Sequence, residues 1–304
     1  MTAGRSALAV GIGIVVAAMA AAGWVLTAPR PVDPQTARAV SEPGDPAAGK
    51  IVFFLAGCDS CHLSPGQSDP TRLSGGQELR TPFGSFFPPN ISPDRADGIG
   101  AWSAVDFANA LMAGVSRDGR HLYPALPYPS YARMSVKDVR DLFAFLRTVP
   151  PVSGRTPPDA LAFPFSIRKA VGFWKLLYMP AIAQPLAEDP TDLESRGRYL
   201  VEGPGHCGEC HSPRTFLGGV IASRRLNGAP LPDGKGKAPN ITDGGLADWS
   251  ESDIAYALST GLTPSGDSLG GPMAAVVRNL AQVPEQDLAA IAHYLKTVKP
   301  GGDS

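Results

Sequence analysis

The chain has 304 residues, of which 43% are hydrophobic and 18% charged, a composition typical of a globular protein rather than a disordered one. Its formal net charge of -1 at pH 7 argues against nucleic acid as a partner, because neutralising phosphates needs an excess of lysine and arginine. The length fits two ordinary domains better than one.

The first predicted element is the uncharged stretch from Ser6 to Ala28. It is long enough for a membrane-spanning helix, which needs about 20 apolar residues, and Trp24 lies where an interfacial aromatic residue belongs. The competing interpretation is a cleaved signal peptide, whose apolar region is usually about 7–15 residues long. We expect residues 1–30 to form a transmembrane anchor, with the signal peptide as the alternative.

The rest of the chain is predicted to be mostly helical, with loops rich in glycine and proline between the helices. A first helix is expected before Cys58. A middle helix is expected to begin after the N-cap residue Ser103 and to end at Gly114. A last helix is expected to open at Ser135, just after Met134.

These elements recur about 150 residues later. Two segments, CDSCH and PNIS, return as CGECH and PNIT, and the blocks that begin at Trp102 and Asp138 return from Trp249 and Asp287. The middle helix of the second copy is expected between Ser250 and Gly261. Four blocks in the same order at a nearly constant offset indicate a tandem duplication. We predict domain 1 at residues 31–149, a linker at 150–190 and domain 2 at 191–304.

Three chemistries use a CxxC pair. A structural zinc site takes thiolates or thiolates plus histidines, but it needs no fixed histidine after each pair. A thioredoxin-like dithiol needs an α/β context, which the helical pattern does not provide. CxxCH is the signature of covalent c-type haem attachment, in which the cysteines bond to the porphyrin and the histidine ligates the iron. The motifs therefore predict two covalently bound haem c groups, attached at Cys58, Cys61, Cys207 and Cys210, with His62 and His211 as proximal ligands.

The remaining axial position of each iron is open to a second ligand, and methionine there suits electron transfer. Met273, in the loop GGPM of the second copy, is predicted to ligate the second haem. In the first copy, Leu126 lies opposite Met273 and cannot bind iron, so Met134 is predicted to ligate the first haem. His121, Met112 or an open site are the alternatives.

One residue and one segment have a further predicted role. Arg214, three residues after His211, is a candidate donor to a haem propionate, with a solvated arginine as the alternative. The segment from Phe163 to Gln184 is apolar with three cations. That pattern fits a helix packed between the domains, an interfacial helix or a surface on which a partner docks.

Four segments, TPFGSFFPPNISPD, GIGAWS, DGRHLYPALPYPSY and GHCGECHSPR, together resemble the membrane-associated dihaem cytochrome c proteins. These are similar to the cytochrome c subunits of bacterial membrane-bound alcohol, sorbitol, gluconate and aldehyde dehydrogenases. The resemblance runs from about Gly49 to Pro300. It implies a mainly α fold of two tandem class I cytochrome c-like domains after the N-terminal transmembrane helix. It also implies a location at the bacterial inner membrane, with the haem domains in the periplasm.

The function implied by the resemblance is electron transfer rather than catalysis on an organic substrate. The chain is expected to pass electrons from a periplasmic-side dehydrogenase to quinone, another cytochrome or a terminal oxidase, with the membrane and these redox proteins as partners. Some relatives have methionine in the stretch that is PALPY here, where Leu126 stands. The alternative is a haem enzyme, such as a dihaem peroxidase or a thiosulfate-oxidising cytochrome, with an exchangeable ligand on one iron.

Overall fold

The computed structural model describes residues 2–179, 185, 186, 189, 191–232 and 234–302, with side chains in the first helix described at 11–19 and 21–26. The helices up to the end of the first copy are α1 Thr2–Leu26, α2 Pro34–Val40, α3 Pro46–Leu55, α4 Cys58–His62, α5 Ala104–Ala113, α6 Tyr128–Tyr131 and α7 Val136–Leu146. Those that follow are α8 Val171–Tyr178, α9 Leu193–Glu202, α10 Gly208–His211, α11 Glu251–Thr260, α12 Met273–Leu280 and α13 Glu285–Thr297, with 3-10 turns at Arg168–Ala170 and Ala222–Arg224.

Short strands accompany the helices. They are β1 Leu79–Thr81, β2 Gly84–Phe86, β3 Ala160–Leu161, β4 Ala229–Pro230 and β5 Lys237–Ala238. The antiparallel pair of β1 and β2 sets Leu79 opposite Phe86, and β3 from the linker adds to β2 with Leu161 opposite Gly84. The strands β4 and β5 form a separate antiparallel pair in the second copy. The linker is thus bound to the first copy by backbone hydrogen bonds.

In each copy the first and last helices cross closely, α3 on α7 and α9 on α13. A glycine makes each crossing possible. A Cβ atom on Gly49 would lie 1.9 Å from the carbonyl oxygen of Asp141, and one on Gly197 would lie 1.9 Å from that of Ala290. Because glycine has no side chain, the two helix backbones can touch at each crossing. A side chain at either glycine would keep them apart.

The predicted ends of the middle helices are confirmed. Ser103 caps α5 and Ser250 caps α11, each in a capping box with an aspartate three residues on. Both helices end at a glycine in the left-handed conformation, Gly114 with φ 58° and Gly261 with φ 80°. The two copies therefore share the same local start and stop signals as well as the same crossing.

One hydrophobic core runs through both copies, including Phe53 and Leu142 from the first and Tyr199 and Ile291 from the second. The linker helix α8 contacts both sides. Its Trp174 donates Nε1–H to the carbonyl of Leu217 at 3.0 Å, while Lys175 reaches the end of α5. The domain boundaries of the sequence analysis stay a prediction, and within the predicted linker residues 180–184, 187, 188 and 190 lie outside the described residues.

The predicted transmembrane anchor is wrong, and with it the predicted N-terminal anchoring in the inner membrane. The N-terminal segment does form α1, but no helix in the described part of the chain is both long and apolar enough to cross a membrane. Just after α1, the buried Thr27 accepts a hydrogen bond at its carbonyl from His121 Nε2, at 2.8 Å.

Candidate functional site

Two short helices carry the cysteine and histidine residues of the repeated motif. Helix α4 presents Cys58, Cys61 and His62, and α10 ends at His211 after Cys207 and Cys210. Each cysteine has a free thiol. One helical turn separates the two cysteines of a pair, so both lie on one side of the helix beside the histidine that follows. In the described residues, no group of three or more His, Cys, Asp or Glu side chains converges as a zinc cage would.

Both histidines are held by the same backbone contact. Nδ1–H of His62 donates to the carbonyl oxygen of Pro89 at 2.7 Å, and Nδ1–H of His211 donates to that of Pro239 at 2.8 Å. A hydrogen bond at Nδ1 fixes the tautomer and leaves Nε2 as the nitrogen free to bind a metal. The two prolines belong to the repeated PN-I-S/T segments, so the duplication includes the group that orients each imidazole.

The surroundings of the motif histidines and cysteines disfavour the charged forms of their side chains. Burial lowers the pKa of His62 and of His211, with the proline contacts opposing that shift, so both imidazoles are neutral and able to bind metal. Burial also raises the pKa of Cys61 and of Cys207 to about 11, and that of Cys58 further still. Neutral, half-buried thiols beside a neutral imidazole suit attachment of an apolar group.

The two predicted methionine ligands lie in different settings. Met273 is partly buried at the first position of α12. Met134 is fully buried in the core, directly before Ser135, the N-cap of α7. The residue before the N-cap of α13 in the second copy is Val283, which is also buried in the core. Leu126, opposite Met273 in sequence, packs partly buried against the same core. The position of Met134 is thus that of a core residue in the other copy, and its role as a ligand stays a prediction.

The alternative ligands of the first copy have other partners. Met112 is buried in α5 within the hydrophobic core. His121 is also buried, and it donates its Nε2–H to the carbonyl of Thr27. Burial is the main reason that the pKa of His121 is lowered. His121 therefore fastens the end of α1 to the first copy.

The candidate propionate donor Arg214 lies beside the second motif. Its Nη2 donates to Glu209 Oε2 at 2.6 Å and to the backbone carbonyl of Glu209 at 2.7 Å, while Nη1 donates to the carbonyl of Gly218 at 2.7 Å. The guanidinium is thus already bound to the chain around α10. Its role toward a propionate stays a prediction.

Comparison with known proteins bears on this arrangement. Residues 46–150 match the family model described as cytochrome c. The chain is 48% identical over 296 residues to the diheme cytochrome c-type protein of Cereibacter sphaeroides, an alignment that covers 97% of this chain and 98% of that protein. The chain belongs to the dihaem c-type cytochromes.

This dihaem cytochrome is also similar to longer proteins. It is 38% identical over 262 residues to the fructose dehydrogenase cytochrome subunit of Gluconobacter japonicus, covering 84% of this chain and 53% of that protein. It is 36% identical over 263 residues to the alcohol dehydrogenase (quinone) cytochrome c subunit of Gluconobacter oxydans, covering 82% and 54%. The chain spans about half the length of these two subunits.

The residues present fit two covalently bound haem c groups, which this cytochrome carries. Each motif supplies two thiols and an imidazole with Nε2 left free, and each imidazole is oriented by a proline carbonyl. When bound, the haem supplies one-electron redox chemistry at its iron. The chain supplies the attachment, the orientation of the proximal imidazole and a buried, mostly apolar setting for it.

Several residues around the motifs carry contacts that sequence reasoning did not anticipate. The carbonyls of Pro89 and Pro239 orient the two imidazoles, and the repeat of PNIS as PNIT is the sequence signal that marks them. Asn279 and Ser130 contact the opposite motif, and His206 donates Nε2–H to the carbonyl of Ala56 at 3.1 Å. No sequence signal marks this second group, because their partners are more than 70 residues away.

Proposed function

We propose that this dihaem cytochrome is the electron-transfer subunit of a dehydrogenase complex and does not transform the organic substrate itself. The observation that carries the proposal is the pair of motifs with matched His–Pro contacts, His62 with Pro89 and His211 with Pro239. Relatives named as cytochrome subunits of fructose and alcohol dehydrogenases support a dehydrogenase as the donor. A quinone, another cytochrome or a terminal oxidase is the proposed acceptor.

For the axial ligands we propose His62 and His211 on one face of the two haems, with Met273 on the other face of the second. Met273 suits this role because it is partly buried at the exposed start of α12. For the first haem we keep Met134, which lies between α6 and α7. Met134 is fully buried in the hydrophobic core, and its counterpart in the second copy is the core residue Val283.

Haem content and electron uptake test the proposal directly. The purified chain is expected to hold two haems, and a variant in which Cys58 and Cys61 are both changed to serine is expected to hold one. A reductive titration is expected to take up two electrons per chain. A chain that binds two haems but takes up no electrons from a mild reductant contradicts the role of electron carrier.

The donor is tested in the bacterium that encodes the chain. Deleting the gene is expected to abolish oxygen uptake with one substrate among fructose, ethanol and gluconate, while the matching dehydrogenase still reduces an artificial dye. Restoring the wild-type gene is expected to restore the uptake, and restoring the double serine variant is not. Unchanged oxygen uptake with every substrate contradicts the dehydrogenase assignment.

A haem enzyme is the second candidate, and one observation favours it. Leu126 aligns with Met273 in sequence and Met134 is in the core, so an iron in the first copy would have an open position if Met134 is not its ligand. Rapid binding of carbon monoxide to one ferrous haem of the native chain, together with turnover of hydrogen peroxide, favours the enzyme. Slow or absent binding at both haems favours the carrier.

A further inference from the structure

The two haem-attachment helices, α4 and α10, approach each other at the junction of the copies. His206, directly before Cys207, donates Nε2–H to the carbonyl of Ala56, two residues before Cys58, at 3.1 Å. The two motifs are related by an offset of 149 residues. A haem bonded to the cysteines of each motif would therefore be attached at this junction.

Each motif accepts a hydrogen bond from a side chain of the other copy. Asn279 of α12 contacts the first motif, and Ser130 of α6 contacts the second. Asn279 Nδ2 donates to Asp59 Oδ1 at 2.6 Å and to Ser60 Oγ at 3.1 Å. Ser130 Oγ donates to Glu209 Oε1 at 2.9 Å. The offset of 149 residues carries Ser130 to Asn279 and Ser60 to Glu209, so one contact is the counterpart of the other.

A contact that reappears with the partners exchanged has the form of an isologous interface. In a two-fold symmetric pair, each copy offers the same surface to the other. The pairs Ser130–Glu209 and Asn279–Ser60 meet this condition within one chain. The local two-fold axis therefore passes between the two motifs.

The junction is buried and held by further hydrogen bonds. Asn279 is 3% exposed and Asp59 7% exposed. The carbonyl of Ala56, at the end of α3, accepts from His206 Nε2 at 3.1 Å and from the Tyr131 hydroxyl at 3.1 Å. These paired polar groups favour one arrangement of the surfaces over a displaced one, because displacement leaves them unpaired.

We propose that Asn279 and Ser130 are positioning residues that hold the two attachment helices in one arrangement, which would keep the two haems at a fixed separation for electron transfer within a single chain. The proposal rests on the proposed function as a dihaem electron carrier. The transfer oxidises one ferrous iron and reduces one ferric iron, and it needs no bond change and no proton. The residues act through the attachment helices and touch neither iron.

Electron redistribution after partial reduction tests this proposal on the full chain with both haems attached. A short radiolytic pulse reduces less than one haem per chain, and the following relaxation between the two haems is recorded by absorbance. In the wild type the relaxation rate is expected to be independent of protein concentration. In Asn279→Ala and in Ser130→Ala it is expected to fall severalfold, and further in the double variant.

Asn227→Ala is the matched control, since the Asn227 side chain also bridges distant segments, donating to the carbonyl of Gly301 at 2.7 Å, but contacts neither motif. Its relaxation rate is expected to equal that of the wild type. Asp59→Asn keeps an acceptor oxygen for Asn279 and is expected to keep the rate, which separates the hydrogen bond from the charge. The Soret circular dichroism signal that arises from coupling between two haems is expected to weaken in parallel with the rate.

Two results overturn the inference. One is a wild-type relaxation rate that grows in proportion to protein concentration, because transfer is then between chains. The other is an unchanged rate and an unchanged Soret signal in Ser130→Ala and in any Asn279→Ala protein that folds. A chain that lacks a haem or takes up no electrons contradicts the proposed electron-carrier function itself. That result is therefore distinguishable from a failure of the inference about Asn279 and Ser130.

Discussion

Arg133 of the first copy forms an ion pair with Glu202, the last residue of α9 in the second copy, and both side chains are largely buried. The Tyr294 hydroxyl donates to Glu202 Oε1 at 2.5 Å, and Arg225 Nε lies 3.6 Å from the same oxygen. Burial opposes the charge, but Arg225, Tyr294 and Arg133 outweigh it and lower the pKa of Glu202. A carboxylate buried between the copies is therefore matched by charge and hydrogen bonds.

Glu202→Gln is expected to destabilise the protein by about 3–5 kcal/mol at pH 7, because Arg133 and Arg225 stay buried without their counter-charge. Equilibrium urea unfolding of the haem-loaded chain measures the loss. The lowered pKa means that the stabilisation is complete above the unfolded value near 4.5 and disappears as the pH falls through the folded value. The difference between wild type and variant is therefore expected to shrink below pH 4.5.

The control is Asp118→Asn, which removes the partner of Arg120 in an ion pair with both side chains exposed. Its loss is expected to be within about 1 kcal/mol, as for surface pairs in general. Equal losses in the two variants contradict the assignment of a stabilising buried charge to Glu202.

Lys175 gives the second prediction, in the alkaline range. Its Nζ donates to the carbonyls of Ala113 at 2.7 Å and Gly114 at 2.8 Å, and burial lowers its pKa to about 8 from the ordinary 10.5. Between these values the unfolded chain binds more protons at this group than the folded protein, so its contribution to stability rises with pH. The urea midpoint of wild type is expected to rise relative to Lys175→Met from about pH 8 to pH 10.5.

Below pH 7 the wild-type and Lys175→Met curves are expected to run parallel, because the lysine is then protonated in both states. Lys50→Met, at an exposed position, is the control and is expected to follow the wild type at every pH. Parallel curves for wild type and Lys175→Met up to pH 10.5 contradict the lowered pKa.

Gly49→Ala gives the third prediction. The added Cβ would lie 1.9 Å from the carbonyl oxygen of Asp141, so α3 and α7 have to move apart. We expect a loss of about 1–3 kcal/mol or more, the range for overpacked cores, and a similar loss for Gly197→Ala in the second copy. Gly270→Ala is the control, since nothing lies within 4 Å of a Cβ built there. Urea unfolding in which Gly49→Ala loses no more stability than Gly270→Ala contradicts the close crossing.

The axial methionines give the fourth prediction. Met273→Leu and Met134→Leu remove sulfur while keeping side-chain volume, and such swaps cost less than about 1.5 kcal/mol. Each is expected to remove one methionine-ligated, low-spin haem signal from the absorbance and electron paramagnetic resonance spectra of the ferric protein. Met112→Leu is the control and is expected to keep both signals. If Met134→Leu also keeps both, Met134 is a core residue and the ligand of the first haem lies elsewhere.

The sequence is sufficient to predict the parts of the fold that local chemistry determines. Ser103 and Ser250 cap their helices as expected, because an N-cap contact needs only residues three positions apart. The duplication and the haem attachment also follow from the sequence, since the motif CxxCH has one covalent chemistry and appears twice in the same frame. The resemblance to dihaem cytochromes is confirmed by the comparisons.

What the sequence does not provide is any contact made between distant segments. Asn279 meets Asp59 across 220 positions, and Arg133 meets Glu202 across 69, so neither pairing has a local pattern. The same limit applies to Met134, whose place next to the last helix fits either a ligand or a core residue. The anchor prediction fails for a different reason: a run of small and apolar residues resembles a membrane span, but no helix in the described part of the chain is both long and apolar enough to be one.

The interface within the chain has the form that two separate copies would use to make a dimer. Two separate copies would part on dilution, because their association depends on concentration. Joined in one chain, they meet at an effective concentration that the connecting segment sets and that does not change on dilution. The paired motifs are therefore expected to stay together however dilute the protein is, and each folded chain carries its own complete pair.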